Sequence, residues 1–332
     1  MNNEHNIHRT EENTLLNAIK AANVHKKVSK CVYKYVKPGV SLNDIANFIE
    51  TTILSECNFN MNEPLLKGIG FPIGLSINNC AAHYTPNYNE TQIILKNSDI
   101  IKIDYGVHYE GTIIDSAFTL SYNPLYEEFI NISKNATNYA VSLCGPDVIL
   151  GEIGKDIEEY VKSKEIEING KIYKLKTMSD LSGHKIAQYE IHAGKAVPNI
   201  SINYSQRMLE NEFYAIEPFI TTGNGYSILK TPNSHYMLNK NCLNNIINNS
   251  SEKKLYELIK KNYLTLPFCQ KWLYKLDNNM NHDILLQKLT DKKILNVYPP
   301  IYDIENSIIS QFEHTIFIKS NGIINLTKNE NY

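Results

Sequence analysis

The sequence predicts an α+β protein, and three observations predict it. Residues 14–37 and 125–145 carry apolar side chains at helical spacing. The stretch 68–120 breaks into short β-like runs punctuated by Gly, Pro and Asn, and such runs return at 211–221 and 309–319. The chain has 332 residues, 42% hydrophobic and 20% charged, ordinary proportions for a globular protein with a large core. Length alone does not choose between one large domain and two smaller ones.

The elements follow in order. Leu15, Leu16, Ile19, Ala22, Val24, Val28, Cys31, Val32 and Val36 keep helical spacing, and Lys37-Pro38-Gly39 stops that helix. Ser41, followed three residues later by Asp44, resembles a capping box with Asp in place of Glu. It opens a second helix through Ile45, Ile49, Ile53 and Leu54. DIIKIDYGVHYEGTIIDSAFTL, residues 99–120, reads as consecutive strands, with Gly106 and Gly111 marking turns or bulges. After the helix over 125–145, another spans about 152–164, with Ile153, Ile157, Tyr160 and Val161 on one face. Between about 240 and 296, EKKLYELIKKNYLTLPFCQKWLYKL and DILLQKL read as three short helices without chemistry, framed by Asn-rich loops. The simplest organisation is a helical insertion at 240–296 within a catalytic domain built from 1–239 and 297–332. No internal repeat at solenoid periods is visible.

Composition excludes several classes. A net charge of -2 gives no overall pull toward nucleic acid or an anionic membrane. The basic run Lys253, Lys254, Lys260 and Lys261 reads as a solvated helix face before it reads as an RNA contact. Six scattered cysteines without a C-x-x-C pair speak for free thiols in a reducing compartment. The opening MNNEHNIHRTEEN lacks the apolar core of a signal peptide, and no apolar run approaches the roughly 20 residues of a membrane helix. The expectation is a cytoplasmic protein with no membrane contact and no specific nucleic-acid partner.

Several charged residues stand where charge is costly. Asp104 and Asp115 close the apolar runs IIKID and TIID, and a hairpin would face them across adjacent strands. The plainer alternative is two surface aspartates at turns. His184 and His192 lie in GHKIAQYEIHAGKAVP, beside glycine or small residues. A lone histidine is more often structural than a ligand, and this framing shifts the balance only modestly. Glu217 in FYAIEPFI and Glu313 in QFEHTIFI interrupt apolar strand-like segments, where an unpaired glutamate is rare. Two Asp, two Glu and one His form a hard, oxygen-rich set that suits Mn, Co, Fe or Zn. Four carboxylates neutralise two divalent cations, and two-metal sites of that kind hold their ions roughly 3.5–4 Å apart and activate water for hydrolysis. Composition does not establish that the five residues converge.

A resemblance then enters. NNCAAHYTPN (78–87), KIDYGVHYEGTIIDSAFT (102–119), SGHKIAQYEIHAGKAVP (182–198), YAIEPF (214–219), SHYM (234–237), YPP (298–300) and QFEHTI (311–316) stand in order along the chain. Together they resemble type 2 methionine aminopeptidases, closer in wording to eukaryotic than to archaeal members. The resemblance implies a pita-bread fold, a curved antiparallel sheet backed by helices, with 240–296 as the type 2 insertion. It implies removal of the initiator methionine from nascent proteins whose second residue is small. It implies two divalent cations per subunit (Co, Mn, Zn or Fe) held by Asp104, Asp115, His184, Glu217 and Glu313, with Asp115 and Glu313 bridging. His83 would contact the scissile amide, His192 would steady the carbonyl, and Glu217 would move the proton. Phe71, Ile191, Phe219, His235, Met237 and Tyr298 would line the methionine pocket. The implied partners are N-terminal methionyl peptides and nascent chains, and the implied state is a monomer. Ribosome association stays open, because the long charged N-terminal extension of many eukaryotic members is absent from this sequence.

The departures are Ser182 for the usual asparagine, Pro218 for threonine and Pro267 for alanine, and they bear on fine substrate preference. Two competing readings stand beside this one. Prolidases and aminopeptidases P share the ligands but carry a sizeable domain before the first aspartate. Non-catalytic relatives of this fold that bind RNA or protein partners have lost ligands, whereas this chain keeps all five together with His83 and His192.

Overall fold

A computed structural model describes residues 2–88 and 90–329. Helix α1 (Asn2–Tyr35) is longer than its apolar pattern predicts, and its small buried face, Ala18, Ala21, Ala22 and Val28, lets it lie close against the sheet. Helix α2 (Leu42–Glu56) begins as expected. Ser41 Oγ accepts from the Asp44 amide at 3.0 Å and donates to Asp44 Oδ2 at 2.7 Å.

Strands β1 (Lys67–Ile77), β3 (Ile100–Tyr109) and β4 (Thr112–Ser121) form one antiparallel sheet in the order β1-β3-β4, while β2 (Cys80–Ala82) pairs elsewhere. The β3–β4 hairpin turns at Glu110 and Gly111, whose φ angles are 48° and 75°, so the glycine expected to turn does so. Gly106 does not turn. It sits within β3 opposite Asp115, and the irregularity lies in β1, whose register slips on both sides of Phe71. A Cβ at Gly106 would stand 2.3 Å from Phe71 Cε1, so glycine is needed there for close approach of that ring.

The second sheet orders five antiparallel strands: Gly322–Asn325, His314–Lys319, Phe213–Ile216, Ser182–Ile186 and Ala196–Pro198. Helices α3 (Glu127–Leu143) and α4 (Leu150–Lys162) back it, burying Phe129, Ile153, Ile157 and Val161 with Tyr214, Ile216 and Ile316. The two apolar stretches that carry glutamates each break in two. Phe213–Ile216 gives way to Phe219–Thr221, and Ile309–Gln311 precedes His314–Lys319. Phe219–Thr221 pairs with Ile309–Gln311 on one side and Lys176–Thr177 on the other in a separate small sheet. Glu217 and Glu313 therefore stand at the crossings between sheets, where the strict in–out alternation of a strand is suspended.

Helices α5 (Ser250–Tyr263), α6 (Gln270–Leu276) and α7 (His282–Asp291) are the three helices expected, around a core of their own that includes Leu255, Ile259, Leu273, Leu286 and Leu289. They dock through the sheet His235–Leu238, Phe268–Cys269 and Leu295–Tyr298. Buried Glu50 of α2 accepts from Trp272 Nε1 at 2.9 Å and meets Lys271 Nζ at 2.6 Å and Lys275 Nζ at 3.0 Å.

Candidate metal centre and pocket

Asp104 pairs across the hairpin with Ala117, and Asp115 with Gly106, so the two aspartates are diagonal neighbours on one face. They lie in mid-strand rather than at turns, and Asp115 is 5% exposed. His184, in the strand Ser182–Ile186, brings Nε2 to 3.5 Å from Asp115 Oδ2 and 3.3 Å from Glu217 Oε1. One ligand atom each from Asp115, His184 and Glu313 lie within 4.8 Å of one another. Asp104 and Glu217 border the same cavity, and Gln311 Nε2 donates to Glu217 Oε2 at 3.1 Å. Five residues from four separate segments thus meet in one place.

The backbone around them is laced by hydroxyls. The Asp115 amide donates to Thr315 Oγ1 at 2.9 Å, and that hydroxyl donates back to the Asp115 carbonyl at 2.6 Å. Ser116 Oγ donates to the Glu313 carbonyl at 2.6 Å, and Thr119 Oγ1 to the Gln311 carbonyl at 2.7 Å. Sequence reasoning did not single out Gln311, Thr315, Ser116 or Thr119. The available signal was a set of polar residues inside the apolar strands DSAFT and QFEHT.

Burial dominates the electrostatics. It lifts the Glu217 carboxyl to about 8, against the opposing pull of the Gln311 hydrogen bond. Burial, joined by neighbouring carboxylates, also pushes Asp104, Asp115 and Glu313 well above the usual range. Burial holds His184 down at about 4, so its imidazole is neutral and its contacts with the acids are not ion pairs. A neutral imidazole beside carboxylates that resist charge is the chemistry a divalent cation relieves. The fit is also geometric. Asp104 Oδ1, Asp115 Oδ1 and both carboxylate oxygens of Glu313 are buried without a hydrogen-bond partner, the condition of atoms that lack a ligand.

A cavity of about 530 Å³ opens above this cluster, and Phe71, His83, Ile191, His192, Phe219, His235 and Tyr298 all line it. Met237 does not. It sits behind Tyr298, whose hydroxyl lies 3.9 Å from its sulfur. His192 packs edge-on against His184 with ring centroids 4.4 Å apart, and the His83 ring stands 5.7 Å from those of His235 and Tyr298. His83 adopts φ 63°, a left-handed conformation uncommon outside glycine, with its carbonyl held by Ser234 Oγ at 3.0 Å. Burial, and next the neighbouring His192 imidazole, hold the His83 ring down at about 4. Thr85 Oγ1 donates to the Ile73 carbonyl at 2.6 Å and lies 2.7 Å from His235 Nε2. With that hydroxyl proton committed, His235 Nε2 must be the donor, which leaves the lone pair on Nδ1. Pro267, Ser182 and Asp180 also border the cavity, the last unforeseen. A second cavity of about 550 Å³, near Asn87, Glu90 and Gln287, contains none of the predicted residues, so size does not locate the site.

Residues 17–234 match the model of metallopeptidase family M24. The chain belongs to that family. Similarity to a relative named methionine aminopeptidase 2-2, from Talaromyces marneffei, is 39% identity over 97% of this chain and 70% of that protein. Among solved structures, a thermophilic Arx1 superposes with a TM-score of 0.81 at 17% identity, covering 96% of this chain and 92% of that one. A methionine aminopeptidase from Thermotoga maritima superposes with a TM-score of 0.61 at 18% identity, covering 94% and 95%. At such identities these two likenesses speak to fold alone. The architecture is the M24 pita-bread fold, as the motifs implied, and M24 membership brings use of divalent metal.

Proposed function

We propose that this M24 enzyme removes the initiator methionine from proteins with a small second residue, with Asp104, Asp115, His184, Glu217 and Glu313 holding two divalent cations. The observation that carries the reading is the set of buried, partnerless carboxylate oxygens on Asp104, Asp115 and Glu313, gathered beside a neutral His184. Four carboxylates match the charge of two dications. The cations, when bound, supply acidity to an attacking water and polarise the scissile carbonyl.

The chain's own groups do the rest. Gln311 ties down Glu217 Oε2, which leaves Oε1 to carry a proton from the water to the leaving amine. His192 and His83 present imidazoles from the cavity wall, one to the carbonyl where charge develops and one to the scissile amide. Phe71, Ile191, Phe219 and Tyr298 surround the methionine side chain, whose burial contributes about 2 kcal/mol. Pro267, where alanine is usual, borders the cavity and bears on fine substrate preference. Nascent chains and methionyl peptides are the substrates, met by a monomer in the cytoplasm. Among the described residues no helix is long and apolar enough to cross a membrane. A purely binding role is not favoured, since the 39%-identical relative is itself named an aminopeptidase.

The test is hydrolysis of a Met-Ala-Ser peptide by metal-depleted protein with Mn or Co added back. Turnover should appear with about two equivalents of metal, and Asp115→Asn should reduce it to background while circular dichroism stays native. Silence from folded, metal-loaded wild type overturns the reading, and near-normal turnover in Asp115→Asn overturns the ligand assignment.

A further inference from the structure

Helix α1 touches the backbone behind the aspartate pair through His25. His25 is fully buried, and its Nε2 lies 3.1 Å from the Tyr105 carbonyl and 3.3 Å from the Ser116 carbonyl. Carbonyls only accept, so the ring must be the Nε2–H tautomer, donating one forked hydrogen bond to two strands at once. The ring is also locked in plane. It stacks on Tyr105 with centroids 4.1 Å apart and an 11° tilt, and Tyr105 Oη donates to the His25 backbone carbonyl at 3.2 Å. A histidine and a tyrosine thus hold each other by ring face, side-chain donor and backbone acceptor.

The position of those two carbonyls matters more than their number. Tyr105 and Ser116 are cross-strand partners in the β3–β4 hairpin. Each immediately follows one of the paired aspartates, Asp104 and Asp115. Side chains alternate along a strand, so Tyr105 and Ser116 belong to the face opposite the carboxylates. His25 therefore fastens the hairpin from behind, at the cross-strand pair that sets the offset between the two carboxylates. The Thr315 and Ser116 hydroxyls tie β4 to the segment bearing Glu313. Asn17 and Tyr33 join α1 to the hairpin at Glu110 and Phe118, whereas His25 joins it at the residues that follow the two aspartates.

We infer that His25 is a positioning residue for the metal centre, one that fixes the separation of the Asp104 and Asp115 carboxylates through the carbonyls of Tyr105 and Ser116 and thereby sets affinity for divalent cation. The inference rests on the ligand assignment above. Partners placed behind ligands tune metal affinity by about 10- to 100-fold, because a ligand that must be dragged into place gives up binding energy. Replacement by phenylalanine keeps the ring stack on Tyr105 and removes the donor. Replacement by glutamine returns an N–H donor near the Nε2 position without the ring.

The experiment is Mn titration by isothermal calorimetry of metal-depleted wild type, His25→Phe and His25→Gln, with circular dichroism and melting curves alongside. The expected result is about tenfold weaker Mn binding in His25→Phe, with most of the loss restored in His25→Gln. At saturating Mn the peptide KM should hold while kcat falls. A role confined to packing would lower the melting temperature of His25→Phe and leave its Mn affinity unchanged, and that result overturns the inference. If His25→Phe does not fold, Tyr105→Phe, which frees the His25 carbonyl and keeps the stack, should still weaken Mn severalfold, and wild-type affinity in it overturns the inference. Failure of wild type itself to bind Mn would instead sink the ligand assignment.

Discussion

Removing divalent metal should make the protein's stability fall with rising pH relative to the metal-loaded form, and Glu217 gives the scale of the effect. Burial holds its carboxyl at about 8 without metal, against 4.5 as the ordinary value. A raised carboxyl pKa means the folded state keeps a proton that the unfolded state has released. Stability from that group is then fully present below pH 4.5 and is lost as pH climbs through 8. Between pH 6 and 8 the loss from Glu217 alone integrates to about 2 kcal/mol. Asp104, Asp115 and Glu313, raised by burial and by their neighbours, add in the same sense.

For a chain of this size each kcal/mol moves the melting midpoint by roughly 2 °C, so between pH 6 and 8 the metal-free midpoint should fall about 4 °C or more relative to the metal-saturated one. In metal-saturated protein the same carboxylates are ionised throughout, and their contribution to the slope should vanish. Other groups do not blur the contrast. Lys102, pushed down to about 7 by burial, gains stability as pH rises, but equally in both forms. The rings of His83 and His184, held near 4 by burial, gain stability as pH rises through the unfolded value of 6.5, again equally in both forms. Scanning calorimetry at pH 6, 7 and 8, with chelator and with excess Mn, measures the difference directly. Parallel midpoints for the two forms would refute the account of the cluster.

Two further outcomes follow from packing. Gly106→Ala puts a Cβ 2.3 Å from Phe71 Cε1 and must push that ring toward the pocket, so KM for methionyl peptides should rise roughly fivefold or more with kcat little changed. Steady-state kinetics decide it, and an unaltered KM would show that Phe71 does not contact substrate. Glu50→Gln leaves buried Lys271 without its anion and should cost about 3 kcal/mol in urea denaturation. Trp272, the single tryptophan of the chain, donates to that carboxylate, so its fluorescence reports whether the interface has loosened.

How much was legible can be judged from particular residues. Apolar periodicity located α1, α2, α3 and α4, since it records which side of an element faces the core. The chemical set was legible too. An Asp, Glu or His inside an apolar strand advertises a charge that needs a partner, and Asp115, Glu217 and Glu313 all prove buried. At Gly106 the expected irregularity lies on the partner strand β1, since a strand glycine signals only that something comes close. The visitor, Phe71, belongs to another strand.

From sequence alone came the types of element, the ligand chemistry and, through long ordered motifs, the family resemblance. Tertiary structure decided what separates a list of residues from a site. It brought Asp115 to Thr315 across 200 positions and Gln311 to Glu217 across 94. It left the Glu313 oxygens without partners, placed Met237 behind Tyr298 rather than in the cavity, and set His25 against two carbonyls. The physical reason is range. Periodicity and burial preference act within one element, whereas the meeting of distant side chains depends on strand register and on where sheets cross, which no local pattern encodes.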